Sequence, residues 1–289
     1  MKIIEYYFYI FNQIKNITND KIEAKSETEL ILLSNKFKEI FGKSFELKDI
    51  FGKSSEEIIE KGKIIELDKI LKKRSEGLPL QYALDEAWFY GYKFHVYLNN
   101  STKTLIPRNE TEYIVEKVIE YSESINNYIT ALDIGTGSCC IPISSILSTN
   151  VNLHFDAIDP FTFEIAKKNI SNYNLNKTIN LYNLGVEDIR KTLINRYDII
   201  TANLPYISHE RKIKELNLEP SEALYSKEKG FYLIKKLLQI LPHILKENGK
   251  AFIEIDPSHS KYLSEFKELK VKISKDLNNL ERVAEIKID

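Results

Sequence analysis

The segment Asn203-Leu204-Pro205-Tyr206, which ends the run "YDIITANLPY", holds groups suited to gripping a planar amino group. A carboxamide oxygen on Asn203 can accept one N–H. The carbonyl of Leu204, biased toward an extended conformation by Pro205, can accept a second. Together they would hold an –NH2 with its lone pair directed at one point, and Tyr206 could pack on its flat face. An asparagine–proline turn after a buried strand, with Tyr206 covering the core, would use the same four residues without any chemistry.

A second group of residues lies earlier, in "ALDIGTGSCC". Gly135 and Gly137 let the chain turn sharply after a strand and let a ligand approach the backbone closely. A phosphate-binding loop would need a lysine followed by Ser or Thr, and neither stands at the required place. A dinucleotide fingerprint would want a third small residue where Cys140 sits. S-adenosylmethionine needs only the first two glycines, since it has no phosphate to cradle. "FDAIDP" ends in Asp159, 24 residues after Gly135, where an acid can accept both ribose hydroxyls of a nucleoside. Asp159 could instead cap the helix starting near Thr162. The neighbouring Cys139 and Cys140 suit close packing of a helix on a sheet. With five scattered histidines a metal site is not expected.

Strands and helices alternate after Ile129 and must position these residues. Candidate strands are "ITALDIG", "LHFDAID", "TINLYNL", "YDIITAN", "KAFIEID", "VKISKDL" and "RVAEIKI". "TFEIAKKNISNY" and "GFYLIKKLLQILPHIL" carry helical periodicity between them. Such alternation predicts an α/β, doubly wound and mostly parallel sheet of seven strands, with ligands beyond the carboxyl ends of the strands. The last two strands, with no helix between them, should pair antiparallel at one edge. Residues 1–76 read as a helical domain, in which Ser26 and Glu29 suggest a capping box. Residues 77–108 read as a linker with a β-hairpin turning near Tyr90-Gly91. Residues 109–289 form the α/β domain, entered through a second capping-box pattern at Asn109 and Glu112.

In a chain of 289 residues, 43% hydrophobic and 29% charged residues mark a folded globular protein. Its net charge of −1 gives no global field for nucleic acid or anionic membrane. Two adjacent cysteines cannot form a disulfide framework, so a reducing compartment is expected. The N-terminus reads as an amphipathic helix rather than a signal peptide, and no run reaches the ~18 apolar residues of a membrane span. A cytoplasmic location is expected.

Asn-Leu-Pro-Tyr resembles the [DN]-P-P-[YF] segment of class I S-adenosylmethionine-dependent methyltransferases that act on planar –NH2 groups. The spelling with leucine is usual in rRNA adenine dimethyltransferases, which on four residues alone favours RNA. Seven further blocks point elsewhere: "RSEGLPLQY", "FYGYKFHV", "LIPRNETEYIVE", "EPSEAL", "GFYLIKKLL", "NGKAFIEI" and "DLNNLERV". In this order they resemble the release factor glutamine-N5 methyltransferases, the HemK/PrmC family, from about residue 25 to the C-terminus. Departures are Asn109 for the usual proline, Cys139 for the last glycine of the turn, Leu204 for the first proline and Asp256 for a common glycine.

The resemblance implies a Rossmann-like methyltransferase domain behind a small helical substrate-recognition domain. It implies S-adenosyl-L-methionine as cofactor and a class 1 peptide chain release factor as protein substrate. The glutamine of its Gly-Gly-Gln loop would become N5-methylglutamine. Asn203, Leu204, Pro205 and Tyr206 would be the catalytic segment, with Asn203 also bordering the cofactor. Gly135, Thr136, Gly137, Ser138 and Cys139 would line the methionine part and Asp159 the ribose, with Asp188, or Glu187 if the alignment slips by one, beside the adenine. Arg108 and Glu110 are expected to be structural. A monomer without metal, membrane or direct nucleic-acid contact is expected. The alternatives are an RNA or DNA adenine-N6 methyltransferase and a non-catalytic module that has lost the cofactor.

Overall fold

The structure is a computed structural model that describes residues 1–42, 44, 46–52, 55–125, 128–189, 196–211, 213, 216–276 and 279–288. Leu277 and Asn278 of the "DLNNLERV" block lie outside the described residues. Two compact units are present, Met1–Glu86 and Ala87–Asp289.

The first unit is helical: α1 (Ile3–Thr18), α2 (Lys21–Leu33), α3 (Asn35–Phe41), α4 (Leu47–Ile50), α5 (Lys61–Ser75) and α6 (Leu80–Leu84). Helix α1 packs on α2 and α5. Tyr6, Ile10 and Ile14, spaced by roughly one helical turn, share a buried core with Ile31, Leu32, Leu67 and Ile70. The cap of α2 differs from the expected one. Asp20, six residues ahead of Ser26, accepts the N–H groups of Ile22 and Glu23 and opens the helix, because its short carboxylate satisfies two first-turn donors that Ser26 would have left exposed.

The second unit opens with the hairpin of β1 (Ala87–Phe89) and β2 (Tyr92–Phe94), which turns at Tyr90-Gly91 as expected. A smaller pair, β3 (Tyr97–Asn99) and β4 (Thr102–Lys103), follows. At the entry to α7 (Glu112–Ile125) the expected capping box is absent: Glu112 instead accepts the Tyr90 N–H at 2.7 Å. Satisfying a donor of the hairpin turn outcompetes the local cap.

The central sheet has the order β12-β13-β11-β8-β5-β6-β7. Its strands are β5 (Ile129–Ile134), β6 (Leu153–Ile158), β7 (Ile179–Tyr182), β8 (Tyr197–Ala202), β11 (Leu245–Glu254), β12 (Leu269–Lys275) and β13 (Glu281–Ile288). Pairings are parallel from β11 through β7, while β13 runs antiparallel to both β11 and β12. Between strands lie α8 (Cys140–Leu147), α9 (Phe163–Asn172), the short α10 (Ser221–Leu224) and α11 (Tyr232–Ile244). A small sheet of β9 (Ile207–Ser208) and β10 (Tyr225–Ser226) flanks α10. The central strands β5, β6 and β8 are buried on both faces almost throughout, whereas the edge strand β12 alternates with lysines. Ile200, Ala202 and Ile253 face α11 residues such as Leu237 and Leu241. Ile199, Phe252 and Ala131 face the side that holds Val115, Ile143 and Ala166.

Register then sets the site. Ile134 is level with Ile158 and Ala202, and Ala202 with Ile253. The next residues, Gly135, Asp159, Asn203 and Glu254, therefore stand side by side one step along the four strands.

Candidate active site

Beyond these strand ends lies a cleft of about 420 Å³, within the range of small-molecule sites. Four loops line it: Gly135 to Ser138 after β5, Asp159 to Thr162 after β6, Leu184 to Asp188 after β7, and Asn203 to Pro205 after β8. Lys103, Leu105 and Thr111 on one side and Glu222, Ala223 and Tyr225 on another complete the wall.

The glycine turn is built for close approach. Gly135 has φ +73°, and a Cβ there would lie 3.0 Å from Leu204 Cδ2. The turn therefore packs directly on the Asn203–Tyr206 segment. Asp133, just before it, is buried, with Thr201 Oγ1 donating to its Oδ1 at 2.6 Å. Burial pushes its carboxyl up to about 6 despite that hydrogen bond, and the charge of Asp159 adds to the rise.

Asp159 organises the turn and its own loop together. Its Oδ2 accepts the Gly137 N–H at 3.1 Å, and its Oδ1 accepts the N–H groups of Phe161 and Thr162. One carboxylate thus ties the loop ahead of α9 to the glycine turn and lines the cleft, while α9 itself starts at Phe163 without a side-chain cap. Three of roughly four lone-pair positions are in use, which leaves Oδ2 capacity for a hydroxyl. Thr162 Oγ1, on the same wall, is buried without a hydrogen-bond partner among the described residues. Such a hydroxyl suits a polar ligand that takes up its bond.

At the other end of the cleft Asn203 Nδ2 donates to Thr111 Oγ1 at 2.9 Å. Thr111 donates in turn to Glu254 Oε2 at 2.7 Å, and Tyr206 Oη donates to Glu254 Oε1 at 2.9 Å. Glu254 is 1% exposed. Its burial raises the carboxyl pKa, opposed by the two hydrogen bonds and the positive charge of Arg282. Burial also raises the Tyr206 hydroxyl, with the charge of Glu254 adding to the effect. With Nδ2 committed, Oδ1 is the free acceptor of the Asn203 carboxamide among the described residues. The Leu204 side chain is buried in the core with its Cδ2 against Gly135, and the residue lines the cleft.

Over 207 aligned residues the chain is 31% identical to a release factor glutamine methyltransferase of Flavobacterium psychrophilum, across 67% of this chain and 68% of that protein. The chain belongs to the release factor glutamine methyltransferase family. A bifunctional methyltransferase of Rickettsia prowazekii is 30% identical over 231 residues, which take in 72% of this chain but 43% of that protein. The chain thus spans less than half the length of that relative. No protein-family model matches. Among solved structures, the hMettl16 catalytic domain in complex with MAT2A 3'UTR hairpin 1 aligns with a TM-score of 0.53 and 14% identity, covering 76% of this chain and 80% of that one. That likeness is one of fold, a Rossmann-like methyltransferase domain.

In this member of the release factor glutamine methyltransferase family, Gly135, Thr136, Gly137, Ser138, Asp159, Asp188, Asn203, Leu204 and Pro205 all line the cleft. Two expected residues do not. Cys139 is fully buried at φ +64°, packed in the apolar cluster with Ile143 and Phe155, so its side chain enters the core and not the ligand space. Tyr206 lies behind the wall, its hydroxyl held by Glu254. Glu187 and Asp188 both line the cleft, but Glu187 Oε1 accepts the Tyr232 hydroxyl at 2.6 Å. Arg108 pairs with Glu219, which also accepts the Ile106 N–H. Among the described residues no cluster of His, Cys, Asp and Glu is placed to hold a metal, and no helix is long and apolar enough to cross a membrane. Sequence reading missed Thr111 and Glu254. Glu254 was within reach of it, as an acid following "KAFI" at the same strand-end position as Asp159.

Proposed function

We propose that this chain methylates the side-chain amide nitrogen of the glutamine in the Gly-Gly-Gln loop of a class 1 peptide chain release factor, giving N5-methylglutamine. The observation that carries the reading is the Asn203 carboxamide, whose Nδ2 is tied to Thr111 and which lines the same cleft as the glycine turn. S-adenosyl-L-methionine, when bound, supplies a methyl group activated by its sulfonium charge. Gly135 to Ser138 would border its methionine part, Asp159 would accept from its ribose, and Asp188 would lie by the adenine, since Glu187 already serves Tyr232.

An amide nitrogen is a poor nucleophile because its lone pair is delocalised. Acceptance of its two N–H groups by Asn203 Oδ1 and the Leu204 carbonyl would orient it and raise electron density on nitrogen. Positioning of this kind can lower a barrier by up to about 7–11 kcal/mol. The bound cofactor, held by Gly135 to Ser138 and Asp159, would supply the methyl group for the new N–C bond, and the S–C electron pair would leave with the sulfur. The nitrogen then becomes acidic enough to release its proton to solvent without a dedicated base. Residues 1–76 would grip the release factor, the protein acting as a cytoplasmic monomer without nucleic acid.

The test is a mixture of cognate release factor and rRNA with methyl-labelled cofactor. Label in the factor supports the reading. Label in rRNA would favour adenine-N6 methylation, the alternative that the leucine of Asn-Leu-Pro-Tyr permits. Calorimetry with S-adenosylhomocysteine checks the cofactor site, and absence of binding would favour a non-catalytic module.

A further inference from the structure

We propose that Glu254 is a positioning residue, which fixes through Thr111 the end of the Asn203 carboxamide that is offered to the substrate amide. The inference rests on the reading of Asn203 as an acceptor. Glu254 accepts at both carboxyl oxygens, from the Thr111 hydroxyl at one and the Tyr206 hydroxyl at the other. Thr111 has a single O–H, and directing it at Glu254 leaves its oxygen only lone pairs to show to Asn203. Asn203 must then present Nδ2, as observed at 2.9 Å, and Oδ1 is left for the cleft.

The two ends of a carboxamide are nearly alike in shape, so packing alone selects poorly between them. The hydrogen-bond chain does select, because it has a direction. It begins at a residue 1% exposed, where water cannot substitute for a missing partner. Thr111 is itself 3% exposed, so its hydroxyl has no solvent alternative either. A flipped Asn203 would set an N–H donor against the substrate's N–H groups and remove the acceptor from the reaction.

The chain can be reversed by design. Asn203→Asp puts a second acceptor-only group on Thr111, which cannot donate to both carboxylates. Adding Glu254→Gln supplies an amide N–H to Thr111, which frees the Thr111 proton for the new carboxylate of the Asn203→Asp variant. Glu254→Gln is expected to lower kcat about tenfold in the wild-type background and to raise it about tenfold in the Asn203→Asp background, with cofactor KM changed by less than about twofold. A residue that merely held the fold would act in the same direction in both backgrounds, and that result would overturn the proposal. Thermal melts of the four proteins show that each is folded before rates are compared. A neutron structure of the wild-type protein reads the same point without activity. The Thr111 deuteron should lie toward Glu254, and a deuteron lying toward Asn203 would overturn the proposal. If the expected deuteron position were found in a protein that labels no release factor, the functional reading would fall while the hydrogen-bond direction stood.

Discussion

Asn203 and Thr111 stand 92 positions apart in the chain and are joined by a hydrogen bond of 2.9 Å. It ties the end of β8 to the turn that opens α7, and Thr111 in turn is held by Glu254 from the end of β11.

Thr111→Val keeps the volume of the side chain and removes its hydroxyl. Glu254 Oε2 and Asn203 Nδ2 both lose a partner, and Glu254 is buried. Destabilisation of about 2–4 kcal/mol is expected by urea unfolding, with kcat lowered about 10²-fold from misplacement of Asn203. Thr111→Ser should retain most of both.

Two glycines border the Asn203–Tyr206 segment for different reasons. At Gly230, φ +91°, a Cβ would fall 1.9 Å from the Tyr206 carbonyl oxygen, a clash with backbone that only a shift of the segment relieves. At Gly135 the nearest atom, 3.0 Å away, is the end of the Leu204 side chain. Gly135→Ala is expected to destabilise by about 1–3 kcal/mol, mostly through its positive φ, and Gly230→Ala by more. Thermal melts of the two variants rank them, and the reverse order would contradict the packing described.

Asp133 makes stability depend on pH in an unusual direction. Its carboxyl is raised in the folded protein to about 6 from the ordinary value of 3.8, so the folded state binds more protons between these values. This contribution is fully present below the unfolded value and is lost as pH rises through about 6. The loss from this group is about 3 kcal/mol. Relative to wild type, Asp133→Asn should gain stability over that interval, as read by urea unfolding at about pH 4 and about pH 7. A difference that is constant with pH would exclude the effect.

Both thiols are expected to be inert in the native protein. Burial pushes Cys140 up to about 12 and Cys139 well above its ordinary value. At pH 8 a thiol of that pKa is only about one part in 10⁴ thiolate. Alkylation with iodoacetamide should therefore label neither cysteine until the protein is unfolded in urea, when both react.

Much of this arrangement was legible from local sequence. The apolar runs ending in Gly135, Asp159 and Asn203 gave strands, and the aromatic segment around Tyr90-Gly91 gave the hairpin. What escaped was long-range. Nothing near Thr111 in sequence marks its hydroxyl as a partner of Asn203, because that contact exists only after β8 and β11 have paired. The cap of α2 at Asp20 was obscured by a plausible Ser26–Glu29 pattern inside the helix. Glu112 fitted a capping box equally well, and only the hairpin's position showed that it serves Tyr90. Cys139 was expected to line the methionine part, since a sequence does not tell whether a Cβ at positive φ points to the cleft or to the core.

The most direct test is tandem mass spectrometry of the Gly-Gly-Gln peptide of a class 1 release factor after incubation with S-adenosyl-L-methionine and the wild-type protein or Asn203→Ala. The expected result is one methyl group on the glutamine side-chain nitrogen with wild type and none with the variant, which should still bind S-adenosylhomocysteine. An unmodified glutamine with wild type, or equal methylation by Asn203→Ala, would contradict the role assigned to Asn203.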